Sequence, residues 1–193
     1  MVNKYGKYGQ ISEMTHFLIE TSYSGKNNLM FVDLTCGNGF DTLFLSNLAG
    51  HSGHVMAFDI QDTAIERTNI LLHDKGKFNN YVIIKDSHEF IGKYLSEKVD
   101  AAVYNLGYLP NHNKEIVTKP DITIRSINSL IPYLKDSGRI YIAAYTAQDK
   151  GCEISKISEY LNKINKKEYN VLHMKVINKE NTPPELFIIE KNA

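Results

Sequence analysis

At 193 residues, with 42% hydrophobic and 23% charged side chains, the chain has the size and balance of one globular domain with a full core. Lys plus Arg and Asp plus Glu each number 22, so the formal net charge is zero, which argues against bulk nonspecific nucleic-acid binding and leaves room only for a local basic patch. No apolar run approaches the ~18–20 residues that cross a membrane, the opening MVNKYGKYGQISEM lacks a secretory apolar stretch, and Cys36 and Cys152 form neither a metal spacing nor a disulfide framework, so a reducing cytoplasm is expected.

Residues 1–28 read as an N-terminal extension with no assigned role, in which Gln10 and His16 are polar residues able to lie over a pocket. The first strand is predicted over 29–34 (LMFVDL), an apolar run ending at a glycine-bearing loop, and a helix follows over 40–49. Strand two is 54–59, followed by a helix from Asp62 to about His73 whose start, with Asp62 ahead of Glu66, resembles a cap with an acidic first turn. Strand three is 81–85, with a short helix from His88, and strand four is 99–104. A loop with Pro110 and Pro120 leads to a helix around 121–135, and the turn Asp136-Ser137-Gly138 precedes strand five at 139–145. A helix over 151–164 carries Lys156 and Lys163, with Lys166 and Lys167 just beyond. This lysine cluster reads as a solvated face in preference to an RNA-contact patch. Strands 169–177 and 185–190, joined by a loop with Pro183 and Pro184, close the chain.

Repeated β-α-β units predict an α/β, Rossmann-like domain over 1–193, with a mostly parallel seven-stranded sheet and helices on both faces. Two final strands with no long helix between them predict an antiparallel hairpin at the edge, where a dinucleotide-binding Rossmann fold would continue with β-α units. Ligands of such sheets sit at the carboxyl ends of the strands, so chemistry is expected just after each strand.

After strand one, Asp33-Leu34-Thr35-Cys36-Gly37-Asn38-Gly39-Phe40-Asp41-Thr42 places an acid at the strand end and a Gly-x-Gly turn at a helix start. Glycines let the backbone approach a ligand, and the helix start offers free N–H groups; the bland alternative is a tight strand–helix turn. Thr42 occupies the place of a third glycine, which favours the looser loop of S-adenosylmethionine (SAM) sites over a dinucleotide fingerprint. Asp59, in Phe58-Asp59-Ile60-Gln61, stands about 20 residues past the glycine loop, where an acid accepts both ribose hydroxyls of an adenosine. In Asp86-Ser87-His88 the acid suits an adenine amino group, an N-cap, or both. Asn105-Leu106-Gly107-Tyr108-Leu109-Pro110 offers acceptors that can hold an amine and an aromatic that can stack, against the alternative of a rigid turn. His51 and His54 lack a third ligand, and no nucleophile elbow, Walker loop or paired-carboxylate pattern appears.

The strings VDLTCGNGFDT, AFDIQDTAI, KDSH, NLGYLP and PPELFIIEK together resemble the MnmM (YtqB-type) family of tRNA 5-aminomethyl-2-thiouridine methyltransferases, often labelled "putative rRNA methylase". The resemblance spans roughly residues 29–191 and implies a class I SAM-dependent methyltransferase fold, with S-adenosylhomocysteine (SAH) as the cofactor product. It implies cofactor contacts at Asp33, Cys36, Gly37, Asn38, Gly39, Asp41, Asp59, Gln61, Asp86, Ser87, His88 and Asn105, and catalytic roles at Asn105, Tyr108 and Tyr145. After strand five, Tyr145 and Gly151 match the family, while the glycine and histidine that many members carry between them are replaced by Thr146-Ala147-Gln148-Asp149-Lys150.

The implied reaction methylates the aminomethyl nitrogen of the wobble uridine, with a tRNA anticodon stem-loop as partner, no membrane, and a homodimer as one compatible assembly. An alkylamine attacks well once neutral, and a nearby sulfonium and partial burial both disfavour the ammonium, so no dedicated general base is obligatory. The flipped base suits an aromatic such as Tyr108 or Tyr145. The rivals are methylation of rRNA or of another amine, a non-catalytic SAM- or nucleotide-binding module, and nicotinamide-dependent oxidoreduction, which the imperfect glycine motif and missing Tyr-x-x-x-Lys pair disfavour.

Overall fold

The computed structural model describes residues 11–107, 118–145, 151–178 and 183–193. Strands made of uninterrupted apolar residues must be covered on both faces, and here they are. The elements are α1 (Ile11–Tyr23), β1 (Met30–Asp33), α2 (Phe40–Ala49), β2 (His54–Asp59), α3 (Asp62–Lys75), β3 (Tyr81–Lys85), a 3₁₀ segment (His88–Lys93), β4 (Val99–Leu106), α4 (Pro120–Leu130), β5 (Leu134–Ala144), α5 (Cys152–Leu161), β6 (Tyr169–Met174) and β7 (Glu185–Lys191). The seven-stranded sheet has the order β3-β2-β1-β4-β5-β7-β6. β3, β2, β1, β4 and β5 run parallel, while β7 is antiparallel to β5 and β6 antiparallel to β7, as the closing hairpin predicts.

Side chains of successive strand residues point to opposite faces, and the two cores divide accordingly. Met30 and Val32 of β1, Ala102 and Tyr104 of β4, Ile140 and Ile142 of β5 and Phe187 and Ile189 of β7 pack with Ile127 and Leu130 of α4 and Ile157 and Leu161 of α5. Phe31, Ala101, Val103, Tyr141, Leu186 and Ile188 pack on the other face with Leu45 and Ala49 of α2 and with Met14, Ile19 and Tyr23 of α1. α1 is an element the sequence reading leaves unassigned. Its lower end is fastened by Tyr23, whose hydroxyl donates to the Asp100 carbonyl at 2.7 Å, and by Arg139, whose Nη1 donates to the Ser22 Oγ while its Nε pairs with Glu190.

Several boundaries differ from expectation for identifiable reasons. The helix expected to reach 135 ends at Leu130 and passes through a 3₁₀ turn carrying Pro132, which cannot continue an α-helical ladder. The turn expected at Asp136-Ser137-Gly138 lies inside β5 as a bulge: Val99 pairs with Leu134 and Ala101 with Arg139, so residues 135–138 bulge opposite Asp100, with Ser137 at φ 62°. Asp62 is the first residue of α3 and not its cap; Gln61 holds that place, and the Asp62 carboxylate pairs instead with Lys85 at 2.5 Å. β4 extends to Leu106, β6 stops at Met174, α5 stops at Leu161 and Tyr145 falls just past β5. Loop residue Pro110 and residues 146–150 lie outside the described residues. Among those described, no helix is long and apolar enough to cross a membrane.

Gly53 allows the chain to re-enter the sheet beside β1. A Cβ there would stand 2.7 Å from the Cβ and carbonyl oxygen of Ala49 and 2.8 Å from the Leu29 carbonyl. Relief requires displacing backbone, so Gly53→Ala is expected to destabilise the fold by about 1–3 kcal/mol. Urea unfolding of the two proteins measures the difference, and equal midpoints would contradict it.

Candidate active site

The strand order reverses between β1 and β4, and the carboxyl ends of these strands open into a cleft of about 760 Å³, a size suited to a nucleoside-containing ligand. Residues 34–38, with Phe40 and Asp41, form its floor. The Leu34 N–H donates to the Val103 carbonyl and the Cys36 N–H to the Phe58 carbonyl, tying the loop to β4 and β2. Gly37 and Gly39 take φ of 53° and 83°, the left-handed region open to glycine, and the Gly39 N–H closes the turn on the Cys36 carbonyl at 2.7 Å. No side chain caps the start of α2, so its first N–H groups are left for other partners. Arg67 of α3 donates to the Asn38 Oδ1 at 3.0 Å and steadies the loop from outside.

The acids differ sharply in their surroundings. Asp33 is fully buried beneath the floor, accepting from the Thr42 hydroxyl at 2.6 Å and the Thr35 N–H at 3.1 Å. Burial, then the charge of nearby Asp41, pushes its carboxyl well above the usual range. Asp41, in the first turn of α2, accepts from two sides: His16 Nε2 lies 2.6 Å from its Oδ1, and Asn105 Nδ2 donates to its Oδ2 at 3.1 Å. Asp59 accepts from the Gly37 and Gln61 N–H groups at 3.1 and 3.0 Å, one on each oxygen, and burial raises its carboxyl. Asp86 accepts from the Tyr94 hydroxyl and the Ser87 N–H, both at 2.7 Å, and these hydrogen bonds, the tyrosine's first, hold it low. The cap of the 3₁₀ segment is Ser87, not Asp86.

Asn105 sits within the last turn of β4, its backbone N–H donating to the Thr35 Oγ1 at 2.7 Å. Because a carboxylate only accepts, the Asn105 amide must present its NH₂ to Asp41, which leaves its Oδ1 as an acceptor. Tyr145, 37% exposed, closes the cleft beside Gly107, and burial together with the Asp41 charge raises its phenol. Cys36 is buried and its thiol is pushed far up by that burial, which makes it an inert wall residue. His88 packs edge-on to Tyr104, whose hydroxyl shares Ser126 with the His88 carbonyl.

Of the residues singled out from sequence, Cys36, Gly37, Asn38, Asp41, Asp59, Gln61, Asp86, Ser87, His88, Asn105 and Tyr145 line one cleft. Asp33 and Gly39 stand behind that lining, and Tyr108 and Gln10 lie outside the described residues. His16 of α1 lies over the cleft as the sequence allows, while Ser12 and Glu13 of α1 and Phe40, Ile60 and Lys119 go unmarked in the sequence; all six line the cleft. The signal for α1 is the stripe Ile11, Met14, Leu18 and Ile19 at helical spacing, while nothing local ties His16 to the strand ends.

A family model described as "Putative rRNA methylase" matches residues 55–190. The crystal structure of a "putative rRNA-methylase" from Clostridium thermocellum is 37% identical, covering 94% of this chain and 97% of that one with a TM-score of 0.90. That of a "putative methyltransferase" from Streptococcus mutans, in complex with SAH, is 33% identical, covering 94% and 98% with a TM-score of 0.84. The chloroplastic tRNA (mnm5s2U34)-methyltransferase of Arabidopsis thaliana is 34% identical over 138 residues, 66% of this chain. The chain spans about half the length of that curated relative, matching 50% of it.

Two expectations follow from the geometry. A side chain at Gly39 would meet α3 and not the cleft: its Cβ would lie 2.9 Å from the Thr68 Cα and 3.1 Å from the Thr68 Oγ1, at a φ of 83°. Gly39→Val is therefore expected to lose about 2–4 kcal/mol of stability, read by urea unfolding. Burial pushes His88 down to about 4, against the opposing influence of Glu89 and a hydrogen bond with the Leu34 backbone. The unfolded chain thus binds the proton first, so this contribution is intact above pH ~6.5 and is lost as pH falls towards 4. His88→Gln should flatten the pH dependence of the urea midpoint in that window by up to about 3 kcal/mol; an unchanged slope would refute the assignment.

Proposed function

The chain belongs to the rRNA-methylase family, and from that premise we propose that it is a SAM-dependent N-methyltransferase of tRNA. Its reaction converts 5-aminomethyl-2-thiouridine at the wobble position to 5-methylaminomethyl-2-thiouridine. The observation that carries this reading is Asn105, an outward-facing amide oxygen at the end of β4 that accepts from an amine without adding a charge that would hold it as ammonium. The name of the plant relative supports the substrate, and the SAH complex of the streptococcal neighbour supports the cofactor.

The residues present fit the cofactor. Asp59 has each oxygen engaged once by a backbone N–H, and each keeps a second lone pair for a ribose hydroxyl. Asp86 and the His88 N–H suit the adenine edge, Ile60 offers an apolar face to its ring, and Gly37, Asn38 and the open start of α2 suit the methionine carboxylate. The cofactor supplies an electrophilic methyl on a sulfonium; the protein supplies position and a pocket shielded from water. Asn105 orients the amine, Tyr145 and the exposed ring of Phe40 offer stacking faces to an extruded anticodon base, and Lys119 stands at the rim where a phosphate would pass. Tyr108 keeps the aromatic role expected from sequence. The whole chain acts as one domain, and its unpaired cysteines suit the cytoplasm.

Mass spectrometry of nucleosides from hypomodified tRNA, after incubation with the protein and SAM, tests the reading. One methyl gained on 5-aminomethyl-2-thiouridine supports it, and methyl gained only on rRNA overturns it. Asp59→Ala is expected to weaken SAM binding by about 2–3 kcal/mol, roughly 30- to 150-fold. Unchanged affinity by calorimetry would remove Asp59 from the ribose site.

A further inference from the structure

Asp41 is 12% exposed and accepts from two residues that both line the cleft. A carboxylate that takes a donor on each oxygen dictates which atom each partner presents on its far side. Asn105 is left with Oδ1. His16 is left with Nδ1 as a lone-pair acceptor, because Nε2 must carry the hydrogen that faces Asp41. The imidazole is clamped by stacking on Phe44 of α2, with centroids 4.0 Å apart and planes 7° apart. One carboxylate thereby sets up two acceptors, from α1 and β4, in the place where the amine is expected.

We infer that His16 is the group that takes the proton from the target ammonium, with Asp41 as its positioning residue. The inference rests on the N-methyltransferase reading. An ammonium can donate to Asn105 Oδ1 and His16 Nδ1 together. One N–H proton passes to Nδ1, and its electron pair stays on nitrogen. The neutral amine then takes the methyl group as the carbon–sulfur bond breaks towards sulfur, giving a secondary ammonium, the thioether and an imidazolium that returns its proton to water. In water the proton transfer is uphill by the roughly four-unit gap between an alkylammonium and imidazole, and the adjacent sulfonium narrows the gap. The ionisable groups bearing on His16 are Asp41 of α2 and Glu13 and Glu20 a turn away on α1, with Tyr145, just past β5, bearing on Asp41.

Two measurements test this. Nitrogen NMR of histidine-labelled protein without cofactor should show His16 as the Nε2–H tautomer at pH 8; the Nδ1–H tautomer overturns the proposal. Single-turnover methylation of hypomodified tRNA, from pH 6.5 to 9 and with SAM affinity measured in parallel, reads the role itself. His16→Gln should be about 100-fold slow at pH 7, with the deficit shrinking about tenfold per pH unit as the free amine becomes neutral by itself. Asp41→Asn should show the same pH-dependent recovery from a smaller deficit. A deficit constant across pH, no deficit, or lost SAM affinity would overturn the proposal while leaving wild-type methylation intact. Absence of wild-type methylation would sink the substrate reading and this proposal together.

Discussion

Two carboxylates at the head of the sheet, Asp33 and Asp41, cannot both carry charge cheaply so close together, and the geometry of the cleft follows from how the fold separates them. Asp33 is sealed under the floor and satisfied by Thr35 of the loop and Thr42 of α2. Asp41 faces the other way and collects donors from α1 and β4. The first arrangement fixes the loop that opens α2. The second decides the orientation of the Asn105 amide, and the neighbouring charge helps keep the Tyr145 phenol protonated. A buried carboxylate is a costly element unless every lone pair has a use, and here each oxygen pair is used to hold structure around a cavity.

α1 forms a wall of that cavity and is fastened at both ends. Ser22 and Tyr23 bind Arg139 and the Asp100 carbonyl at the foot of the sheet, and His16 binds Asp41 at the head. Such a wall is in place before any ligand arrives, so ligand affinity is not reduced by the cost of ordering it.

Much of this was legible in the chain itself. The first five strands announce themselves as short apolar runs, each followed by a loop with polar residues, and Asp59, Asp86 and Asn105 were found because strand ends are where such sheets bind ligands. What could not be read has physical causes. Asp33 and Asp41 look alike as letters, and only packing decides that one is sealed and the other faces a cavity. Gly39 reads as a ligand-facing glycine, yet the missing side chain makes room for Thr68. α1 buries Met14, Thr15, Ile19 and Tyr23, a stripe at helical spacing, but its link to the site joins residues 25 apart, which no local pattern shows. His51, which lacks the partners of a metal ligand in the sequence, packs edge-on to Phe78 with ring centroids 4.5 Å apart.

The strand order at the closing edge carries a consequence for biosynthesis. β7 follows β6 in the chain but lies inside it, between β5 and β6. A nascent chain that has released β6 from the ribosome therefore has no native partner for it: all of its ladder pairs, Tyr169 to Met174, are with β7. Until β7 emerges, β5 presents an unpaired edge, and the apolar faces awaiting Leu186 to Ile189 stand open. In vectorial order the first five strands can complete their mutual ladders before β7 is available, with half the hairpin waiting. That interval is when chaperone capture or mispairing between neighbouring nascent chains has its opening.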